Sequence, residues 1–412
     1  MKKTLLLSFF CLIIGIFIFA GSGWAEQEKL KIGAIYDLTG GLSVYGKGSN
    51  LTAKAAVEKI NQNGGIAGRQ VEYIVEDGST DASTGLRKFR KLVLKEKCDF
   101  ILLSCNSGLG IGVIPMAKKM NTIVFSEGTA RSITGKKGNR YVFRQINNAE
   151  MAALAMAKFA AQELGEKAYG LGADYEWGHS VLDTAEKAFQ PLGIHMEDKV
   201  FSPVGTADFV PYLNKVPDAV DFIIAGYFTS DVVKLVNQAW KLGFKKPIFV
   251  GTLEGIRYQD LGQGADLVWC GTYGSRSIQG YPENVRPYQR EYRKIVGLDQ
   301  EGWDESGNIS AEYIWAGWEG VHWIKKGVED SGWTSKEENE KFMKALEGAQ
   351  VEASLDFPTG GKTMRAKDHQ VVGDTFILKG EDGDIVTKSI ISGEAITPDY
   401  PANVDYTQEE VD

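Results

Sequence analysis

The sequence predicts an α/β protein built as two doubly wound parallel-sheet lobes. Two observations carry that prediction. Short apolar, strand-like runs alternate with helix-like segments through short Gly-rich connections, and such alternation implies a parallel sheet covered by helices on both faces. The series then repeats: "CDFILLS" at 98–104 returns as "VDFIIAG" at 220–226, and "NTIVFSEG" at 121–128 as "KPIFVGTLEG" at 246–255. The offset drifts, so the pattern is an old duplication rather than a tandem array. A chain of 412 residues is also long enough to need more than one core.

In order, the first series reads "KIGAIY", "AKAAVEKINQNG", "VEYIVE", "STGLRKFRKLVLKE", "DFILLS", "IGVIPMAKKM" and "TIVFSEG". Ahead of it stands "MKKTLLLSFFCLIIGIFIFAGSGWA": two lysines, an apolar stretch from Leu5 to Ala20, then Gly23-Trp24-Ala25. That is the anatomy of a secretory signal peptide cleaved after Ala25. The apolar run is slightly shorter than the ~20 residues of a spanning helix, which argues against an uncleaved anchor. Cys11 lies within the run, away from a lipid-attachment position.

The loop "GLSVYGKGSN" at 41–50 follows the first strand, and Gly41, Gly46 and Lys47 have the G-x-x-x-x-G-K spacing of a phosphate loop. Position 48 is Gly where that motif needs Ser or Thr for Mg²⁺, and Ser49 comes one residue too late. An exported protein also has little access to cytosolic nucleotides. The second series supplies a simpler reason for the glycines. Asp37 with Tyr45-Gly46 is echoed by Asp174 with Trp177-Gly178, and "GGIAGRQVEYIV" by "PLGIHMEDKVF". Ligands of open parallel sheets bind beyond the carboxyl ends of the strands. The tips "YDLTGGLSVYG", "SCNSG" and "SEGTA" would therefore face "ADYEWG", "GYFTSD" and "GTLEG" across a cleft.

Composition narrows the function. Removing residues 1–25 takes two lysines and no acid, which moves the net charge from −8 to −10 and suits neither nucleic acid nor anionic lipid. Cys98, Cys105 and Cys270 remain. The first two bracket a strand and would stand roughly 23 Å apart, far beyond disulfide reach, and no metal-ligand spacing such as C-x-x-C occurs. Buried reduced thiols are expected, with no metal and no cofactor. His179, His195, His322 and His369 are scattered, His179 lying near Glu176, and neither G-x-S-x-G nor H-E-x-x-H is present, so no enzyme is expected.

The ordered set "KIGAIYDLTGGLSVYGKGSNLTAKAAVEKINQNGGIAGRQVEYIVED", "SEGTARSIT", "YVFRQ", "FVGTLEG" and "MRAKDHQ" carries a resemblance. From about Lys29 to Lys379 the chain resembles the type I periplasmic solute-binding proteins of ABC transporters, most closely the branched-chain amino acid (Leu/Ile/Val-binding) group. The resemblance implies a hinge crossed three times, with 29–145 plus 273–355 as lobe one, 146–272 plus 356–385 as lobe two, and 386–412 as a C-terminal tail. It implies a periplasmic monomer that captures an amino acid or related solute and hands it to an inner-membrane ABC permease. By residue, it places the ligand carboxylate at Ser107 and Thr129, with Gly128 and Ala130 presenting backbone, and the ammonium at Glu254. Tyr45, Trp177 and Tyr227 match positions where rings close over the ligand.

The sequence departs from the family pattern in three places. The "SCNSG" tip is a residue short, so Ser104 or Asn106 competes with Ser107 for the first position. Ser79 stands where some members have a disulfide cysteine. Trp177 stands where tyrosine is frequent, which puts leucine-like specificity in question. A binder of amides, urea or aromatic carboxylates, or a ligand-sensing module acting with a receptor, remains the alternative.

Overall fold

The computed structural model describes residues 28–411; the expected signal peptide lies outside the described residues. Its first series runs β1 (Leu30–Tyr36), α1 (Ser43–Gln62), β2 (Val71–Asp77), α2 (Ala82–Arg90), β3 (Phe100–Leu103), α3 (Ser107–Lys119), β4 (Ile123–Ser126) and β5 (Val142–Arg144). These strands form a parallel sheet in the order β2-β1-β3-β4-β5. Helices cover both faces, so β3 and β4 are fully buried and read as unbroken apolar runs.

The second series runs α4 (Ala149–Glu163), β6 (Lys167–Ala173), α5 (Glu176–Phe189), β7 (His195–Ser202), α6 (Val210–Leu213), β8 (Phe222–Gly226), α7 (Ser230–Lys241), β9 (Ile248–Val250) and β10 (Val268–Thr272). Its strands pair as β7-β6-β8-β9-β10, the winding order of the first sheet. The duplication read from the sequence is thus a duplication of topology.

After β10 the chain forms α8 (Arg286–Val296), α9 (Ala311–Ser331) and α10 (Asn339–Leu346), which pack on the first lobe. Small residues let α9 lie against α1: a Cβ on Gly317 would stand 2.1 Å from the Ser49 carbonyl oxygen, and Thr52 Oγ1 donates to the Ile314 carbonyl at 2.6 Å. A small antiparallel sheet of β11 (Gln350–Val351), β12 (Lys362–Met364) and β13 (Val371–Val372) follows. Two antiparallel strands, β14 (Thr375–Glu381) and β15 (Asp384–Ile391), then extend the second sheet beyond β10.

Two segment boundaries differ from those read in the sequence. Phe357, Met364 and Val371 belong to the apolar core of the first lobe, so the last crossing falls near residue 373 rather than 356. The polar, Gly-rich run between them had no strand pattern to show where its few apolar side chains pack. The second sheet also continues to Ile391, past the expected 385, and the tail beyond it is committed: Tyr400 and Tyr406 are buried, and the Tyr406 hydroxyl donates to the Gly135 carbonyl.

Asn147 ties two crossings together. Its side-chain amide donates to the Gly373 carbonyl at 2.8 Å and accepts from the Gly373 N–H at 2.9 Å. Gln370 Nε2 donates to the Ile146 carbonyl at 2.7 Å beside it. Asn147→Ala would leave both buried backbone groups of Gly373 without these partners, at about 1–3 kcal/mol each. The expected result is a fall of about 2–6 kcal/mol in unfolding free energy by denaturant titration, with no change in the m-value.

Candidate functional site

The carboxyl ends of both parallel sheets face each other, and a narrow cavity of about 60 Å³ lies between them. It is lined by Leu42, Tyr45, Cys105, Ser107, Thr129 and Tyr313 from the first lobe and by Tyr175, Trp177, Phe228, Gly251 and Thr252 from the second, with Tyr273 just after β10.

Each wall is built by a helix that begins close against its own preceding strand. Gly46 makes this possible in the first lobe, since a Cβ there would stand 2.2 Å from the Asp37 carbonyl oxygen. Gly178 is its counterpart, with a Cβ 2.2 Å from the Ala173 carbonyl oxygen. The residue before each glycine, Tyr45 or Trp177, is thereby turned into the cleft. The rings meet edge to face: Tyr45 with Tyr313 at 5.3 Å between centroids, Tyr273 with Tyr313 at 5.9 Å, and Trp177 with Phe228 at 5.8 Å. Gly251 leaves room for the indole, because a Cβ there would come within 2.5 Å of it.

The polar wall is the first turn of α3 with the loop after β4. Asn106 caps α3 by accepting from the Leu109 N–H at 3.1 Å, and Ser104 donates to Asp37 at 2.8 Å, so Ser107 is the member of "SCNSG" whose hydroxyl faces the cleft with Thr129. The backbone of Gly128 and Ala130 is already engaged: their N–H groups donate to Ser126 Oγ at 3.1 Å and Ser107 Oγ at 3.2 Å. Those amides hold the loop rather than point at a ligand.

Two further expectations are corrected. Tyr227 is fully buried in the second lobe, its hydroxyl 2.9 Å from Ser202 Oγ and its ring 5.1 Å from Phe209. Phe228 lines the cleft instead, because successive residues leaving a strand point to opposite sides. Glu254 is 1% exposed and is not among the residues that line the cavity. Its Oε1 accepts from Ser310 Oγ at 3.1 Å, and it borders a separate groove with Lys47 and Thr229. Burial, then the charge of Glu312, push its carboxyl well above the ordinary range, against the opposing pull of Arg276. Arg276 donates to Glu312 Oε1 at 2.7 Å and to the Leu253 and Ile256 carbonyls, which fixes the loop with Gly251 and Thr252 toward the cleft.

Sequence reasoning missed Tyr175, Phe228, Thr252 and Cys105, all in tips it had marked, and Tyr273 and Tyr313, which it had not. Tyr313 lies on a helix 186 residues beyond Glu127, whose carbonyl accepts its hydroxyl. Cys105 is half-buried and the only one of the three described thiols at the cavity; burial raises it, leaving little thiolate. Among the described residues no group of three His, Cys, Asp or Glu side chains could hold a metal, and no helix is long and apolar enough to cross a membrane.

Two lobes of identical winding, facing across a ring-lined cavity at their strand ends, define a two-lobed solute-binding protein. The chain belongs to the periplasmic binding protein family, whose model matches residues 29–384, and its fold is that of the type I members that serve ABC transporters. A Leu/Ile/Val-binding protein homolog 4 from Brucella melitensis is 24% identical over 370 residues, covering 85% of this chain and 84% of the relative. Among solved structures, the leucine-, isoleucine-, valine-, threonine- and alanine-binding protein of Brucella ovis, in a closed conformation, aligns with a TM-score of 0.76 at 21% identity, over 90% of this chain and 97% of that one. A solute-binding protein from R. palustris in complex with benzoate aligns with a TM-score of 0.74 at 16% identity, over 89% and 97%.

Glu127 lies just behind this wall, accepting from Ser49 Oγ at 2.7 Å and the Tyr36 hydroxyl at 3.2 Å. Burial pushes its carboxyl up to about 8 from 4.5, outweighing those two hydrogen bonds. A folded-state value above the unfolded one means that its contribution is fully present below about pH 4.5 and is lost as pH rises through about 8. The melting temperature of Glu127→Gln should therefore fall less than that of wild type between pH 5 and pH 8.5, as read by calorimetry.

Proposed function

We propose that the protein is the extracytoplasmic binding component of an ABC importer and that its cleft takes a small carboxylate with an aromatic body. The observation that carries the ligand class is the lining: six rings, four of them tyrosines, three Ser or Thr hydroxyls and a thiol, with no Asp, Glu, Lys, Arg or His side chain among the described residues. Burying an ammonium there without a partner would be costly. Rings alone can cage a cation, but the first turn of α3 sets backbone N–H groups and the positive end of a helix at the same wall, and these favour an anion. The benzoate complex of the R. palustris protein is consistent with this fold accepting such a ligand. The signal-peptide anatomy of residues 1–25 supports export to the periplasm, and the family supports delivery to a permease.

An amino acid is the second reading, favoured by the names of the Brucella relatives. It would use Glu254, whose Oε2 is buried without a hydrogen-bond partner while Oε1 accepts from Ser310. A thermal-shift panel separates the two. Benzoate or 4-hydroxybenzoate at 100 times its dissociation constant should add about 2.7 kcal/mol to apparent stability, and a panel in which only leucine, isoleucine or valine does so would reject the aromatic assignment. Glu254→Gln should leave benzoate affinity within about twofold; an ammonium held by Glu254 would instead cost about ten- to hundredfold. Because the lining residues come from both lobes, small-angle scattering should show a smaller radius at saturating ligand than without it.

A further inference from the structure

Arg144 ends β5, and its guanidinium is fully buried. Nη2 donates to the Ala130 carbonyl at 2.7 Å, while Nε and Nη1 have no hydrogen-bond partner. No carboxylate among the described residues lies within ion-pair distance of it. Asp368, the acid nearest in effect, is already paired with Arg365. Every other arginine buried to this degree is answered: Arg140 by Glu347 and Arg276 by Glu312, while Arg293 donates to Gln289 and to the Gln300 and Ser275 carbonyls. Arg144 instead holds, through the Ala130 carbonyl, the loop that carries Thr129, which lines the cavity. The buried Glu127 behind the same wall does not answer the charge at neutral pH, because its carboxyl is held protonated up to about 8.

We propose that Arg144 is the buried counter-charge of the cleft, a positioning residue that selects ligands bearing a carboxylate. It acts in two ways. Its bond to the Ala130 carbonyl fixes the turn that presents Thr129, and its unanswered charge makes the hydroxyl wall electropositive where an anion would lie. A buried cation with no partner weakens the empty protein and is compensated when an anion enters. The inference rests on the carboxylate reading above, but it holds for an aromatic acid and for an amino acid alike.

The test compares Arg144→Met and Arg144→Lys with wild type by calorimetry, using benzoate against benzamide and leucine against leucinamide, pairs that differ in the carboxylate. The expected result is that Arg144→Met loses at least about tenfold in affinity for whichever acid wild type binds, that Arg144→Lys retains it within about fivefold, and that discrimination between acid and amide shrinks in Arg144→Met. The melting temperature of ligand-free Arg144→Met should be no lower than wild type, which a purely structural arginine would not allow. Unchanged acid affinity in Arg144→Met, or a loss shared by both variants together with a lower melting temperature, overturns the assignment of Arg144 and leaves the carboxylate reading standing. Wild type that binds neither acid overturns both.

Discussion

The structure depends on one constraint: the chain passes between the lobes at a few neighbouring points, and those passages are fastened to one another. Asn147, Gln370 and Gly373 exchange side-chain and backbone hydrogen bonds in a buried knot, and Asn148 adds bonds to Gln370 and to the Tyr400 hydroxyl. Buried amides satisfied on several sides are costly to separate. Each lobe keeps its own apolar core, so the two lobes are separate packing units joined at these passages. The cleft exists because both sheets present their carboxyl edges to each other.

Much of this was legible in the sequence. Alternation and repetition gave two lobes of the same plan, and identical strand order in both sheets bears that out. The tips named as cleft loops are the cleft loops, since parallel topology leaves them nowhere else to go. What failed was finer than a loop. Tyr227 and Phe228 are adjacent, and which of them faces the cavity depends on where β8 stops following the pleat. Glu254 was assigned from its motif, yet in "GTLEG" a residue stands between Thr252 and the acid. That residue, Leu253, is buried in the second lobe's core, and the chain then turns Glu254 back toward Ser310. Tyr313 carried no local signal at all, because it is one of sixteen buried residues on α9 and reaches the site only through the packing of α9 on α1.

The treatment of charge differs between the loops and the core. Arg276 with Glu312, and Lys362 with Glu319 and Thr359, are buried ion pairs with multiple hydrogen bonds, set where connecting segments meet the lobes. Such pairs contribute little net stability but are expensive to break, so they favour one arrangement of the segments they join. Around the cavity the same chain uses hydroxyls and rings. A site that must bind and release cannot hold its ligand by charges that also lock the protein when the ligand leaves.

The contacts that span the cleft include a charged one, Arg257 Nη2 donating to the Gly307 carbonyl at 3.1 Å with its guanidinium over the Trp303 ring, beside neutral ones. The Tyr45 hydroxyl lies 3.1 Å from Thr252 Oγ1, and Ser310, ahead of α9, meets the Glu254 carboxyl and the Gly255 N–H. The neutral hydrogen bonds among these net about 0.5–1.5 kcal/mol each, so a ligand that touched both walls could outweigh them. The balance between open and closed forms is therefore set by whatever touches both walls. A ligand that met only the hydroxyls of Ser107 and Thr129 would have equal affinity for both forms and would shift nothing. One whose body also reached Trp177 and Phe228 would gain only in the closed form. Selectivity at the aromatic wall and closure of the lobes thus draw on the same contacts, which is why the rings are divided between the two lobes.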